Sequence, residues 1–125
     1  NLQKLPLGIS KLASLEELDL RHNKLVQLPD DITDLKSIEK LQLWGNHLIA
    51  LPFKIGDLHS LKELYLMNNR LLSLPESITK LSLFYLDISY NYLKVSEASV
   101  DTWLKKYNKN YKIEQFDKKG GTYYL

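Results

Sequence analysis

Leu18-Asp19-Leu20-Arg21-His22-Asn23-Lys24-Leu25 is a phrase the chain repeats three more times, from Leu41 to Leu48, Leu64 to Leu71 and Leu86 to Leu93, with Ile88 replacing the middle leucine in the last copy. The opening leucines stand 23, 23 and 22 residues apart. Each phrase sits in a longer frame. A leucine or isoleucine lies three residues ahead, and a Leu-Pro-x-x-Ile-x-x-Leu segment follows, complete at Leu28-Pro29/Ile32/Leu35, Leu51-Pro52/Ile55/Leu58 and Leu74-Pro75/Ile78/Leu81. A period of this length marks a solenoid, in which each unit buries its apolar face only against its neighbours.

Within the phrase, the alternation Leu18-x-Leu20 sends two leucines to one face of an extended segment and Glu17, Asp19 and Arg21 to the other. Asn23, Asn46, Asn69 and Asn91 stand where the chain must leave the strand, and a stacked amide can bond the backbone groups that the turn leaves unpaired. The repeat explains all four at once, so they are read as a structural ladder. Pro29, Pro52 and Pro75 fix φ and resist a long helix, so the return path is expected to be compact. One residue is missing between Leu81 and Leu83, which predicts an altered turn in the fourth unit.

Residues 2–95 resemble the leucine-rich repeats, specifically the 23-residue type with Leu-Pro-x-x-Ile on the outer side. The resemblance implies an α/β fold: a right-handed solenoid forming a horseshoe segment, with short parallel strands on the concave face and 3₁₀ or tight-turn segments on the convex face. Leu2-x-x-Leu5-Pro6-x-x-Ile9-x-x-Leu12 matches the second half of a unit, so the repeats are placed over 1–95, a partial one over 1–12 and about four after it. Because residue 1 falls inside a repeat, the chain is expected to be a piece of a longer array. Self-association through an exposed N-terminal edge is a candidate property.

After Leu93 the composition shifts toward lysine and tyrosine, and residues 96–116 are expected to cap the array. Ser96 is a candidate helix N-cap with Glu97 in the first turn. Val100, Trp103, Leu104 and Tyr107, at i, i+3, i+4 and i+7, predict an amphipathic helix over about 97–108 whose apolar stripe is cap core. The alternation from Tyr111 to Phe116 predicts a strand over 111–116. The spacing Val100-x-x-Trp103-Leu104, Tyr111, Gln115 is similar to segments that close leucine-rich arrays in some bacterial proteins, and so points to a bacterial source. Residues 117–125, with Lys118-Lys119-Gly120-Gly121, read as an exit tail or linker.

The 125 residues, 44% of them hydrophobic, suit one domain with a continuous core. No apolar run is long enough to insert in a membrane. Seventeen basic and fifteen acidic residues interleave to a net charge of +2, without the basic stripe that nucleic-acid binding needs. Cysteine is absent, which excludes disulfides, thiolate metal sites and cysteine nucleophiles. It also counts against the animal extracellular members of the family, whose caps are commonly cysteine-rich. No signal peptide is present in this segment, so localisation stays open between cytoplasm and a bacterial secreted or cell-surface setting. His22, His47 and His59 lack ligand spacing for zinc, and no nucleophile elbow, phosphate loop or His-Glu-x-x-His pair occurs. The chain is expected to hold no metal or cofactor and not to be an enzyme.

The open face remains. Its columns read Glu17, Lys40, Glu63, Tyr85; Asp19, Gln42, Tyr65, Asp87; Arg21, Trp44, Met67, Ser89; and His22, Gly45, Asn68, Tyr90. Trp44, Tyr65, Met67 and Tyr85 are expected to form one apolar patch roughly 15 Å across, given strands about 4.8 Å apart. Asp19, Arg21, Gln42, Asp87 and Tyr90 would orient a ligand around it. Aromatic and methionine anchors with a polar rim are the composition of protein-interface hot spots. The expected function is non-catalytic binding of a protein or peptide on the concave face. Two alternatives are the recognition portion of a larger bacterial effector or signalling protein, and a carbohydrate-binding surface on which the aromatics stack a glycan.

Overall fold

The computed structural model describes residues 1–6, 8–112 and 115–116. Four strands, β1 (Glu17–Asp19), β2 (Lys40–Gln42), β3 (Glu63–Tyr65) and β4 (Tyr85–Asp87), form one parallel sheet in chain order. Register follows the repeat: Leu18, Leu41, Leu64 and Leu86 are successive partners, as are Asp19, Gln42, Tyr65 and Asp87. Return paths run through short 3₁₀ turns, η1 (Ile9–Lys11), η2 (Asp30–Asp34), η3 (Ile55–Asp57) and η4 (Glu76–Lys80), and the array ends in helix α1 (Ala98–Tyr107). This is the α/β leucine-rich-repeat solenoid.

The turns are short for a local reason. Pro29 and Pro75 lie at φ −65° and −66° with ψ 145°, extended conformations that end the preceding segment. The carbonyls of Pro29, Pro52 and Pro75 then accept from Ile32, Ile55 and Ile78 at 3.0–3.1 Å. These bonds turn the chain by one 3₁₀ step and point the three isoleucines inward, all fully buried. They join leucines 25, 35, 41, 43, 48, 58, 64, 66 and 71 in one continuous core. Each fully buried leucine contributes about 1.5–3 kcal/mol, so a unit's stability resides in contact with the next unit. At η3, Gly56 is buried because η4 presses on it: a Cβ there would run into the Ser77 carbonyl oxygen.

Asparagine side chains bind the units together where the chain leaves each strand. Asn46 Nδ2 donates to the carbonyls of Leu43 and, one unit back, Leu20, both at 2.9 Å, while its Oδ1 accepts from Leu25 N at 3.1 Å. Asn69 repeats this with Leu66, Leu43 and Leu48 N, and Asn91 with Ile88, Leu66 and Leu71 N. Asn23 accepts from Leu2 N at 2.8 Å and donates to Leu20 O. A fifth rung is a glutamine: Gln115, fully buried, accepts from Leu93 N at 3.2 Å and donates to Ile88 O at 3.1 Å.

The shortened fourth unit differs in a specific way. In the other units a leucine carbonyl after the 3₁₀ turn accepts from a residue three positions on: Leu12 from Leu15, Leu35 from Ile38, Leu58 from Leu61. Leu81 instead takes an extended ψ of 135°, against 57–77° at Leu12, Leu35 and Leu58, because the chain must cover the same path with one residue fewer. Helix α1 takes up both groups. Trp103 Nε1 donates to Leu81 O at 2.9 Å, and the Tyr107 hydroxyl accepts from Leu83 N at 2.9 Å. Val100, Trp103 and Leu104 are buried, and Tyr107 is half-buried against the core.

Two expectations for this region change. Ser96 does not cap the helix; Glu97 holds the cap position with no side-chain bond, because Lys94 N still pairs with Leu72 O at 3.0 Å and keeps the chain extended against the stack. The strand expected over 111–116 is not formed by its described residues. Tyr111 and Lys112 lie in a turn started at Asn108, and Phe116 makes a single bridge, donating its N–H to Asn91 O at 2.6 Å. Residues 113 and 114, and the tail 117–125, lie outside the described residues. The physical reason is Tyr111, whose ring is drawn into the core while its hydroxyl donates to Asp101 Oδ1 at 2.6 Å.

Asp101 also meets Lys105 at 2.8 Å and Lys112 at 3.6 Å. The Lys105 bond and then the Tyr111 hydroxyl hold its carboxyl down at about 2. The Tyr111 phenol is pushed up by burial and by Asp101.

Trp103→Phe should lower the urea midpoint by an amount equivalent to about 1–3 kcal/mol, the cost of leaving the Leu81 carbonyl unpaired in a buried position. A loss no larger than for an exposed site such as Lys106→Ala would show that the helix does not complete the fourth unit. Asp101 has a lowered pKa, so its stabilisation is complete above the ordinary carboxylate range near 4 and is lost as pH falls toward 2. Asp101→Asn should therefore melt below wild type at pH 7, with the two curves converging between pH of about 4 and 2.

Candidate binding surface

Strand alternation fixes which side chains face the concave side. Past the strands, backbone bonds continue the register: His22 N to Trp44 O, Gly45 N to Met67 O and Asn68 N to Ser89 O, all at 3.0–3.1 Å. Arg21, Trp44, Met67 and Ser89 thus lie in one column. In the next column every unit leaves the sheet through left-handed backbone, at His22 (φ 54°), Gly45 (73°), Asn68 (55°) and Tyr90 (55°). Only glycine takes this without strain. A Cβ on Gly45 would lie 2.9 Å from His22 Nδ1.

The ring contacts fall into separate groups rather than one stack. Trp44 meets the His22 ring edge-on, with centroids 4.1 Å apart, and the Arg21 guanidinium lies 5.7 Å from its ring centre. Tyr65 and Tyr85 pack with centroids 4.7 Å apart, and Lys40 Nζ lies 5.7 Å from the Tyr65 ring centre. Met67 shares a column with Trp44 and is half-buried. Tyr90 belongs elsewhere: its ring packs on Phe116, which also touches Tyr92.

Polar groups on this face are largely engaged with one another. Arg21 grips Asp19 through Nε at 2.9 Å and its terminal nitrogen at 2.8 Å, and that bond holds the Asp19 carboxyl below its ordinary range. Gln42, placed among the ligand-orienting residues, is 8% exposed and donates to Glu17 Oε1 at 3.1 Å, which leaves little of it for a ligand. Asp87 Oδ1 accepts from the Ser89 backbone at 3.0 Å and the Ser89 hydroxyl at 2.6 Å. Burial and then the Glu63 carboxylate raise the Tyr65 phenol, while burial and then Asp87 raise that of Tyr85. Both stay protonated across the physiological range and can donate.

Three participants were not singled out from sequence. His22 packs on Trp44. Phe84, 84% exposed, shares a shallow depression with Glu16, Glu17, Glu39, Lys40, Lys62 and Glu63. The signal for Phe84 was its column, Glu16, Glu39, Lys62, Phe84, in which an aromatic replaces a charge. Phe116 holds Tyr90. Among the described residues, no group of three or more His, Cys, Asp or Glu is arranged to hold a metal, and no helix is long and apolar enough to cross a membrane.

Comparison with known proteins agrees with this architecture. Residues 1–48 match a family model described as leucine rich repeat, and residues 60–81 match a second with the same description. No curated protein matches the chain. A leucine-rich-repeat protein of Leptospira interrogans is similar over 93% of this chain, at 27% identity and TM-score 0.66. The leucine-rich-repeat ectodomain of a plant membrane receptor kinase from Arabidopsis thaliana, solved in complex with Casparian strip integrity factor 2, is similar over 83%, at 30% identity and TM-score 0.68. The chain spans 33% of the length of the first and 13% of the second.

Gly45→Ala should move His22 off Trp44 and strain the left-handed turn. The expected result is a loss of roughly 1 kcal/mol or more in urea unfolding and a red shift of tryptophan emission, since Trp103 is buried and only Trp44 can respond. Unchanged emission would mean that Gly45 does not set the Trp44 position.

Proposed function

We propose, for a chain that is a leucine-rich-repeat protein, that its concave face binds a protein or peptide partner and carries out no catalysis itself. Proteins of this family are typically binding scaffolds, and the general role of a protein-binding repeat scaffold follows from the fold. The observation that carries the finer reading is the pair of ordered aromatic groups on that face, Trp44 with His22 and Arg21, and Tyr65 with Tyr85, both held at fixed spacing by the strand register. Met67, in the column of Trp44 and two residues past Tyr65, adds an adaptable apolar contact. Rings packed on a neighbouring ring have few rotamers left to lose, so a partner burying them gives up little side-chain entropy at this surface. Each buried aromatic removes about 150–250 Å² from water, enough for an anchor.

Around these anchors, Asp19, Arg21 and Asp87 present charge in fixed directions, and Gln42 acts indirectly by holding Glu17. Tyr90, with Phe116 and Tyr92, forms a second aromatic edge at the cap end of the same surface. The Arabidopsis ectodomain, a similar array, was solved with a bound factor, which supports partner recognition as the role of this fold. The likeness to the Leptospira protein supports a bacterial setting for the same reading.

The test is capture from extracts of the source organism and its host, with wild type and a Trp44→Ala/Tyr65→Ala variant side by side, after both are shown to melt alike. A protein retained by wild type and released roughly thirtyfold faster from the variant supports the concave face, matching the loss of about 2 kcal/mol expected of an anchor. Equal retention by the two proteins would remove the site from this face.

A further inference from the structure

Just beyond each asparagine the chain stays extended, and Leu25, Leu48, Leu71 and Leu93 point into the core. The residues flanking each leucine therefore point outward: Lys24 and Val26, His47 and Ile49, Arg70 and Leu72, Tyr92 and Lys94. Backbone bonds keep them in line. Ile49 N donates to Val26 O at 3.2 Å, Leu72 N to Ile49 O at 3.3 Å and Lys94 N to Leu72 O at 3.0 Å. His47, Arg70 and Tyr92 donate in the same way to Leu25, Leu48 and Leu71 at 2.8–3.0 Å. The result is an aliphatic row, Val26, Ile49 and Leu72, at 46%, 46% and 56% exposure, running beside a row of Lys24, His47 and Arg70. Successive members stand about 4.8 Å apart.

Charge on this flank differs from that on the concave face. There, Arg21 is paired with Asp19, Lys40 with Glu17 and Lys62 with Glu39. On the flank, Lys4, Lys24, Arg70 and Lys94 have no ion-pair partner among the described residues. No aspartate or glutamate occurs in 24–28, 47–51, 70–74 or 92–96. The surface is also recessed at one end, where Gln3, Lys4, Lys24, Val26, Gln27 and His47 line a depression across the first units of the array.

We propose that this flank docks an acidic polypeptide segment lying along the solenoid axis, its aliphatic side chains on Val26, Ile49 and Leu72 and its carboxylates on Lys24, Arg70 and Lys4. Unneutralised cations beside a straight aliphatic row are complementary to a segment in which acidic and aliphatic residues alternate. The recess favours a polypeptide over a lipid surface, because a carboxylate side chain can enter it and a bilayer cannot. The aliphatic row itself holds no tryptophan or tyrosine of the kind that interfacial membrane binding uses, and Tyr92, which continues the basic row, is already packed on Phe116.

The experiment measures fluorescence anisotropy of a labelled peptide of alternating glutamate and leucine, with a lysine-leucine peptide as control and vesicles of phosphatidylserine and phosphatidylcholine in parallel. The proteins are wild type, Lys24→Glu/Arg70→Glu, its neutral counterpart Lys24→Gln/Arg70→Gln, Ile49→Asp, and Trp44→Ala/Tyr65→Ala, all first shown to melt like wild type. The expected result is selective binding of the acidic peptide, weakened roughly tenfold or more by charge reversal and by Ile49→Asp, less by the neutral pair, and reduced by added salt. The Trp44→Ala/Tyr65→Ala variant should bind like wild type, which separates this flank from the concave face. No binding of the acidic peptide, binding untouched by the flank variants, or loss only in Trp44→Ala/Tyr65→Ala would each overturn the proposal. Binding of vesicles alone, lost on charge reversal, would overturn it in favour of a membrane surface.

Discussion

Every outward-facing side chain owes its position to amides shared between adjacent units. Asn46, Asn69 and Asn91 each satisfy a carbonyl of their own unit and both a carbonyl and a backbone N–H of the unit before. An unpaired buried polar group costs about 1–3 kcal/mol, and each amide settles several. A unit alone cannot make these bonds, just as it cannot bury Leu41 or Leu64. The same requirement that forbids an isolated unit fixes the spacing and direction of the concave columns. The array is therefore a ruler: a side chain placed on one column has a known distance to its counterpart in the next unit.

The end of the array obeys the same constraint with different residues. After Asn91 another amide is needed, and Gln115 supplies it from the far side of α1, so the ladder closes before the described chain ends. Loss of one residue after Leu81 would leave that carbonyl and the Leu83 N–H unpaired, and Trp103 and Tyr107 take them. The helix is thus matched to the defect in the fourth unit, which explains why an aromatic with an N–H and another with a hydroxyl stand on its buried face. Aromatic bulk alone would fill the volume and leave the backbone unpaired.

The sequence carried the solenoid and its strands because their signal repeats: alternation about Leu18-x-Leu20 is weak once and decisive four times over. Non-repeating features were harder to see. Tyr111 to Phe116 alternates as a strand does, yet six residues of alternation occur once, and the pull of the Tyr111 ring into the core and its bond to Asp101 placed Tyr111 and Lys112 in a turn instead. Gln115 was visible in principle, since it follows Asn91 at nearly the repeat spacing, but its longer side chain falls outside the asparagine phrase. On the concave face, sequence gives columns and not partners. That Arg21 turns onto Asp19 and Gln42 onto Glu17 depends on rotamers and distances that no periodicity encodes.

Those pairings bear on how the two faces can act. On the concave side a charged partner must displace an internal ion pair or accept it as it stands, and exposed pairs of this kind contribute little net energy when exchanged. Affinity there has to come from burying rings that are already packed on their neighbours. On the flank past the asparagines the cations are not offset by neighbours, so their field reaches solvent over a screening length near 8–10 Å at moderate ionic strength. The overall charge of +2 conceals this, because the carboxylates that balance it are placed elsewhere on the coil. A repeat array separates such properties readily: each column can vary while the leucines and asparagines beneath remain, so one framework carries a self-neutralised aromatic surface and an uncompensated basic one.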